Sequence, residues 1–132
     1  MIGIVIVAHG GLAKEYLSAV EHVVGMQSGI VAISIDADCD RGQKQSEICV
    51  AADGVDSGDG VVIVTDMFGG SPSNLSLMAC QPDNRRILYG ANLPMLIKLA
   101  KSRQKPVADA VRGALEAGRK YIDSRNIGPG AA

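Results

Sequence analysis

Aromatic side chains are almost absent from this sequence, which has no Trp, one Phe and three Tyr. A core must therefore be built from the aliphatic residues Val, Ile, Leu and Ala, which suit the packed layers of an α/β fold. The chain has 132 residues, and 47% of them are hydrophobic. Such a chain can bury one substantial core, so we expect residues 1–132 to form a single domain.

Neither sign of charge is in excess, since 13 basic and 14 acidic side chains leave a formal net charge of -1. A surface of this kind does not neutralise a phosphate backbone, so we expect no nucleic-acid partner. The longest apolar runs, such as residues 1–8 and 61–64, are far shorter than the roughly 20 residues that span a bilayer. No basic segment precedes the first run. We therefore expect a cytoplasmic protein with no direct membrane insertion.

Cysteine is scarce and irregularly spaced. Cys39, Cys49 and Cys80 are odd in number and form no C-x-x-C motif, so the sequence indicates neither a disulfide framework nor a thiolate metal site. An acidic stretch from Asp36 to Glu47 has spacings similar to those of a calcium-binding EF-hand loop. Arg41 stands there where that loop needs glycine, so we expect no metal.

A cofactor is equally unexpected. The dinucleotide-binding pattern G-x-G-x-x-G is missing at Gly10-Gly11, where the first apolar run ends.

Apolar runs and amphipathic segments alternate along the chain. Because the runs are rich in β-branched residues and the links are short, we predict a doubly wound, mainly parallel four-stranded sheet flanked by helices. The predicted strands are residues 2–8, 30–35, 61–65 and 86–90, and the predicted helices are residues 12–24, 43–52, 71–80, 94–103 and 106–121. The stretch 53–60 is predicted to be a loop, and the tail 128–130 is expected to fray.

Polar residues follow the first and third predicted strands. His9 ends the first strand, Asp66 follows the third, and Gly69-Gly70-Ser71 comes directly after it. Ligands of open parallel sheets bind at the carboxyl ends of the strands, so we expect these residues to meet there. Ser71 is predicted to be the N-cap of a helix with Pro72 at its first position, and glycines 69 and 70 allow a backbone to approach an anion closely.

Histidine can accept a phosphoryl group on one ring nitrogen while a hydrogen bond to the other fixes its tautomer. Asp66 is the candidate for that second interaction, and its carboxylate would also stabilise positive charge on the ring. Each of these residues has an ordinary structural explanation by itself, as a strand-end hydrogen-bonding group, a turn former or a turn glycine. Their combination at one sheet edge favours phosphoryl chemistry.

Three segments resemble the mannose-type (mannose/fructose/sorbose) IIA component of the bacterial phosphotransferase system, in the same order and spacing. They are IVIVAHG at 4–10, VTDMFGGSPSN at 64–74 and GANLPML at 90–96. The resemblance implies a phosphotransferase component that carries phosphate on His9, with HPr as donor and a IIB component as acceptor. It also implies that Asp66 orients His9 and that phosphate is received by Ser71 with nearby backbone amides, namely those of Gly10, Phe68, Gly69 and Gly70.

The resemblance further implies a homodimer in which protomers exchange an antiparallel strand near the carboxyl terminus, here around residues 121–127. Phe68 stands where sugar-specific relatives often carry Trp, and we expect no fused IIB domain. The role in sugar transport therefore has an alternative, a regulatory module whose phosphorylation state controls a partner.

Two other classes of protein also place a histidine after the first strand. A phosphohistidine hydrolase usually needs a second histidine beside the first, and the remaining one, His22, falls on the first predicted helix. A metal chelatase can also place a histidine after its first strand, but it needs further ligands that this sequence does not supply.

Overall fold

The computed structural model describes residues 1–67 and 69–130, and over these residues the chain forms one parallel sheet between two layers of helices. Strand order in the sheet is β2-β1-β3-β4. The strands are β1 (Gly3–His9), β2 (Ile30–Ile35), β3 (Val61–Thr65) and β4 (Arg85–Leu88). The helices are α1 (Leu12–Val24), α2 (Arg41–Val55), α3 (Ser71–Ser76), α4 (Leu93–Ala100) and α5 (Val107–Lys120). The predicted doubly wound α/β fold is confirmed.

Alternate residues of the strands serve two cores, one on each face of the sheet. Because successive side chains of a strand point to opposite faces, a strand covered on both sides reads as a continuous apolar run. One core packs the sheet against α1, α4 and α5, and it includes Ile4, Ile6, Val62, Val64, Leu96, Leu99 and Ala114. The other packs it against α2 and α3, and it includes Val5, Val7, Ile33, Ile63, Ile48, Ala52 and Leu75.

Helix α2 is longer than predicted, because it continues through Asp53 to Val55. The sequence Asp53-Gly54 has weak helix propensity, but tertiary contacts outweigh it. Asp53 Oδ1 accepts a hydrogen bond at 2.8 Å from Nη2 of the buried Arg85 in β4. The end of the helix also lies on Gly3, where an added Cβ would be only 2.3 Å from the Val55 carbonyl oxygen. Contacts with β1 and β4 therefore extend this helix.

Other boundaries also differ from the prediction. Helix α2 begins at Arg41, two residues earlier than predicted, and β4 spans Arg85–Leu88, so it ends before Gly90. The N-cap of α3 is Gly70, so Ser71 is the first helical residue and Pro72 the second. The helix then tightens into a 3-10 turn, Leu77–Cys80. Helix α4 ends at Ala100 because Arg103 turns inward, where its Nε donates to the Ile2 carbonyl oxygen at 2.8 Å and its Nη2 to that of Gly29 at 3.0 Å.

Residues 122–127 form no strand in the single chain. Strand exchange between two copies therefore stays a prediction. Among the described helices, none is both long and apolar enough to cross a membrane.

Candidate functional site

The register of the sheet brings His9 and Asp66 together. Strand β1 pairs with β3 so that Val7 lies opposite Thr65, the last residue of β3. Asp66, which follows Thr65, therefore comes level with the end of β1, where His9 is the last residue. Both side chains lie at the carboxyl edge of the sheet, where ligands of open α/β sheets bind.

One oxygen of Asp66 holds His9 at two points. Oδ2 accepts a hydrogen bond from the backbone N–H of His9 at 3.0 Å, and it lies 2.8 Å from Nδ1 of the ring. The Asp66 side chain is only 11% exposed, whereas that of His9 is 48% exposed. Asp66 therefore holds the ring of His9 in position from its buried side, while the ring itself remains accessible to solvent.

The ionisation of Asp66 determines the tautomer of His9. Burial acts to raise the pKa of Asp66, but the hydrogen bonds from the backbone and ring of His9 outweigh it, and the pKa lies below its ordinary value of 3.8. An ionised carboxylate only accepts hydrogen bonds, so Nδ1 must carry the proton that it donates. In the neutral ring the lone pair is then on Nε2. Nε2 is thus the ring nitrogen whose lone pair is free.

Glycines leave the other side of the ring clear. A Cβ on Gly70 would lie 3.2 Å from Cε1 and 3.7 Å from Nε2 of His9. Gly10 and Gly69 have positive φ angles, of 55° and 82°, which favour glycine as the chain leaves β1 and approaches α3. Phe68, which the sequence analysis included among the phosphate-binding residues, lies outside the described residues.

A pocket of about 440 Å³ opens in front of His9. Within the described residues its wall comes from the ends of three segments, and it comprises His9, Gly10, Ile35, Asp36, Ala37, Cys39, Arg41 and Ser71. Nη1 of Arg41 donates a hydrogen bond to Oγ of Ser71 at 3.2 Å. Of the predicted site residues, His9, Gly10 and Ser71 line the pocket, and Asp66 and Gly70 lie against His9. Gly69 does neither.

Arg41 is the one cationic side chain among the described residues of this pocket wall, and sequence reasoning missed it. It entered the sequence analysis only as a residue that disfavours a calcium loop. A signal was available, because Arg41 follows the second strand closely and begins a helix. To place Arg41 near His9, however, one must know that β2 lies next to β1, which only the strand order reveals.

Two candidates of the sequence analysis remain outside this site. His22 lies in the last turn of α1 and does not line the pocket. In the described part of the chain, no group of three or more His, Cys, Asp or Glu side chains is arranged to hold a metal ion.

A doubly wound parallel sheet with a carboxylate-held histidine at its carboxyl edge defines the class of this protein as an α/β domain with a histidine-centred site. The model of the family EIIA-man, described as "PTS system fructose IIA component", matches residues 3–116. The chain belongs to this family, and it is a mannose-type IIA component of the phosphotransferase system.

Individual relatives agree with this assignment. The chain is 26% identical over 131 residues to the PTS system mannose-specific EIIAB component of Escherichia coli (strain K12), covering 97% of this chain and 41% of that protein. It thus spans about two fifths of that relative's length. The structure is similar to that of phosphotransferase system component EIIA from Streptococcus agalactiae, with a TM-score of 0.83, 27% identity and coverage of 94% and 97% of the two chains.

The structure is also similar to the PTS IIA protein associated with the fucose utilization operon from Streptococcus pneumoniae. The TM-score is 0.76 and the identity 26%, over 86% of this chain and 88% of that one.

Proposed function

We propose that this chain is a phosphoryl carrier that accepts a phosphoryl group from HPr on Nε2 of His9 and passes it to a IIB component. The observation that carries this proposal is the 2.8 Å contact between Nδ1 of His9 and Oδ2 of Asp66. This contact supports a free lone pair on Nε2, in a half-exposed ring that a partner protein can reach. Membership of the IIA family supports the choice of partners.

The transfer step needs no external proton. The lone pair of Nε2 forms a bond to phosphorus, and the bond from phosphorus to the donor histidine of HPr breaks with its electron pair returning to that nitrogen. Nδ1 keeps its proton, so the phosphorylated ring of His9 carries a positive charge. The carboxylate of Asp66 balances this charge directly, and the step reverses when the group passes to a IIB component.

Phosphate binding falls to groups around the pocket. The hydroxyl of Ser71 can donate to a phosphate oxygen, and the backbone N–H groups of Gly69 and Gly70 lie in the loop that leads into α3. The N–H of Gly10, which the sequence placed among the phosphate donors, instead donates to the Ile35 carbonyl oxygen at 3.0 Å. The positive φ of Gly69 and the absence of a Cβ let the loop before α3 approach an anion closely.

The test is phosphorylation by the upstream components. Incubation with phosphoenolpyruvate, enzyme I and HPr is expected to produce an adduct that is labile in acid and stable in base. The adduct should be absent in His9→Ala and present in His22→Ala, which removes the other histidine. Labelling of His9→Ala at the level of the parent protein would remove His9 from the mechanism.

Transfer onward separates transport from regulation. Adding a IIB component to the labelled protein is expected to move the phosphate to IIB. If phosphate enters from HPr but passes to no IIB component, the regulatory module is the correct function.

The proposed carrier is a cytoplasmic homodimer whose unit is residues 1–132. The segment after α5 supports strand exchange, because its apolar side chains are exposed in the single chain: Tyr121 is 67%, Ile122 74% and Ile127 83% exposed. Light scattering tests this by measuring the molar mass in solution of the full chain and of a chain ending at residue 120. Strand exchange predicts that the full chain is a dimer and the shorter chain a monomer. A monomeric full chain would contradict it.

A further inference from the structure

Arg41 lines the pocket into which an anion bound to His9 would extend. It is the first residue of α2, and it lines the same pocket as His9 and Ser71. Its guanidinium donates through Nη1 to Oγ of Ser71 at 3.2 Å, although the two residues are 30 positions apart in the sequence. The adjacent Gly70 lies close to Nε2 of His9. Arg41 is thus tied to the side of the pocket toward which the nucleophilic nitrogen faces.

The guanidinium has unused binding capacity. Arginine carries five N–H donors. Within residues 1–67 and 69–130, the side chain of Arg41 makes one hydrogen bond, the contact with Ser71. Across the same residues no carboxylate oxygen lies within 4.0 Å of it. Its side chain is exposed to the pocket and to solvent. Arg41 can therefore offer several donors and a full positive charge to an incoming anion.

The charges of the pocket make a cation necessary. A phosphoryl group brings about -1.5 to -2 charges at neutral pH. Asp36 is part of the pocket wall, and Asp66 lies behind the histidine. Without Arg41, a phosphate would face two carboxylates, compensated only by the imidazole and backbone dipoles.

We propose that Arg41 is a ligand of the phosphoryl group on His9, acting both directly and through Ser71. This inference rests on the proposed phosphoryl-carrier function. The direct part is a charge-assisted hydrogen bond to a phosphate oxygen. The indirect part follows from the contact with Ser71, because an Oγ that accepts from Arg41 keeps its own hydrogen free to donate to the phosphate. Arg41 therefore stabilises the phosphorylated state over the free state, and it attracts the negative charge that develops during transfer.

Two phosphoryl donors test this inference. The first is phosphoramidate, a small donor that phosphorylates histidine without a partner protein, and the second is phosphorylated HPr. With both donors, Arg41→Gln is expected to lower the rate of labelling and the equilibrium level by about 10-fold, the lower end for a hydrogen bond to a charged group because the site is open to water. Arg41→Lys should recover part of the loss, since it keeps the charge without the planar fork.

Controls separate this effect from net charge and from folding. Arg112→Gln removes the same charge from an exposed position of α5, on the other face of the sheet, and should leave labelling unchanged. Thermal unfolding should show that Arg41→Gln keeps the parent stability, since its side chain is exposed. In the double variant with Ser71→Ala, the two losses should combine to less than their sum in free energy, because the residues act as a unit.

The outcomes distinguish this inference from the function on which it rests. If the parent is labelled by either donor and Arg41→Gln is labelled equally well, Arg41 is not a phosphate ligand while the carrier function stands. If phosphoramidate labels the parent better than Arg41→Gln but HPr labels neither, Arg41 is a phosphate ligand and HPr is not the donor. If His9 of the parent accepts phosphate from neither donor, both proposals fail.

Discussion

Gly70 stands directly against the imidazole of His9, so closely that a Cβ on Gly70 would lie 3.2 Å from Cε1 and 3.7 Å from Nε2. The same Cβ would lie 3.4 Å from Cγ of Met67. The glycine thus leaves open the space beside Nε2, through which a phosphoryl group would approach under the proposed function. Its φ of -81° and ψ of 175° are accessible to any residue, so the need for glycine here concerns space and not backbone conformation.

Gly70→Ala is therefore expected to slow phosphorylation without destabilising the fold. The added methyl group presses on the ring and on Met67, and these must shift by a few tenths of an ångström away from the geometry that Asp66 sets. We expect labelling by HPr to fall roughly 10-fold, a size typical of misplaced reacting groups. The thermal midpoint should remain near that of the parent, measured by circular dichroism.

Gly69→Ala is the matched variant with the opposite result. Gly69 has a φ of 82°, and a Cβ there would meet nothing within 4 Å. The substitution should cost about 1 kcal/mol of folding stability through backbone strain, a loss that Gly70→Ala should not show. Equal labelling of Gly70→Ala and the parent would show that the methyl group does not obstruct Nε2.

Asp66→Asn and Asp66→Ala separate the charge of this residue from its hydrogen bonds. Because a single oxygen of Asp66 accepts both bonds from His9, an amide oxygen of Asn can take the same position and keep the proton on Nδ1. Asn loses only the charge that balances the phosphorylated ring, and we expect labelling to fall roughly 10-fold. Ala loses the hydrogen bonds as well, so we expect roughly 100-fold or more.

Nitrogen NMR of the imidazole provides the second measurement for this pair. The parent and Asp66→Asn should both show the proton on Nδ1, whereas Asp66→Ala should show a mixture of tautomers. Labelling of Asp66→Asn at the parent rate would mean that the carboxylate acts only as a hydrogen-bond acceptor.

Asp56 should make folding stability depend on pH. The backbone N–H of Gly58 lowers the pKa of Asp56 below its ordinary value of 3.8, burial opposes this, and Arg85 and Asn84 lower the pKa further. Since the folded pKa is the lower one, the unfolded chain takes up the proton first as pH falls. The contribution of ionised Asp56 to folding stability is therefore complete well above pH 3.8, and it disappears as pH falls through the folded pKa.

Asp56→Asn is therefore expected to lower the free energy of unfolding by about 1.5 to 3 kcal/mol at neutral pH. Urea denaturation across the acid range should show the difference from the parent shrinking below pH 3.8. Asp38→Asn changes an exposed carboxylate before α2 and serves as the control, with no loss expected. A difference between Asp56→Asn and the parent that stays constant with pH would assign the effect to packing.

The sequence predicted the order of strands and helices because the apolar periodicity of a doubly covered sheet is a local property. It also indicated His9 and Asp66 as partners, since parallel strands bring their carboxyl ends to one edge. Boundaries were predicted less well where distant residues contribute. Asp53 reads locally as a loop former, and the ion pair with Arg85 keeps it in α2. Ser71 reads as an N-cap, whereas Gly70 takes that position.

By itself, the sequence determined the fold class and indicated that His9 and Asp66 are partners, because both depend on residue type and spacing along one strand or one turn. Only the tertiary structure decided that Arg41 faces Ser71, because that contact depends on β2 lying beside β1 and on where α2 begins. Strand order is a property of the whole chain, since it follows from how all the helices cover the two faces of the sheet. No local pattern encodes the strand order, so the position of Arg41 in the pocket could not be predicted from its neighbours in the sequence.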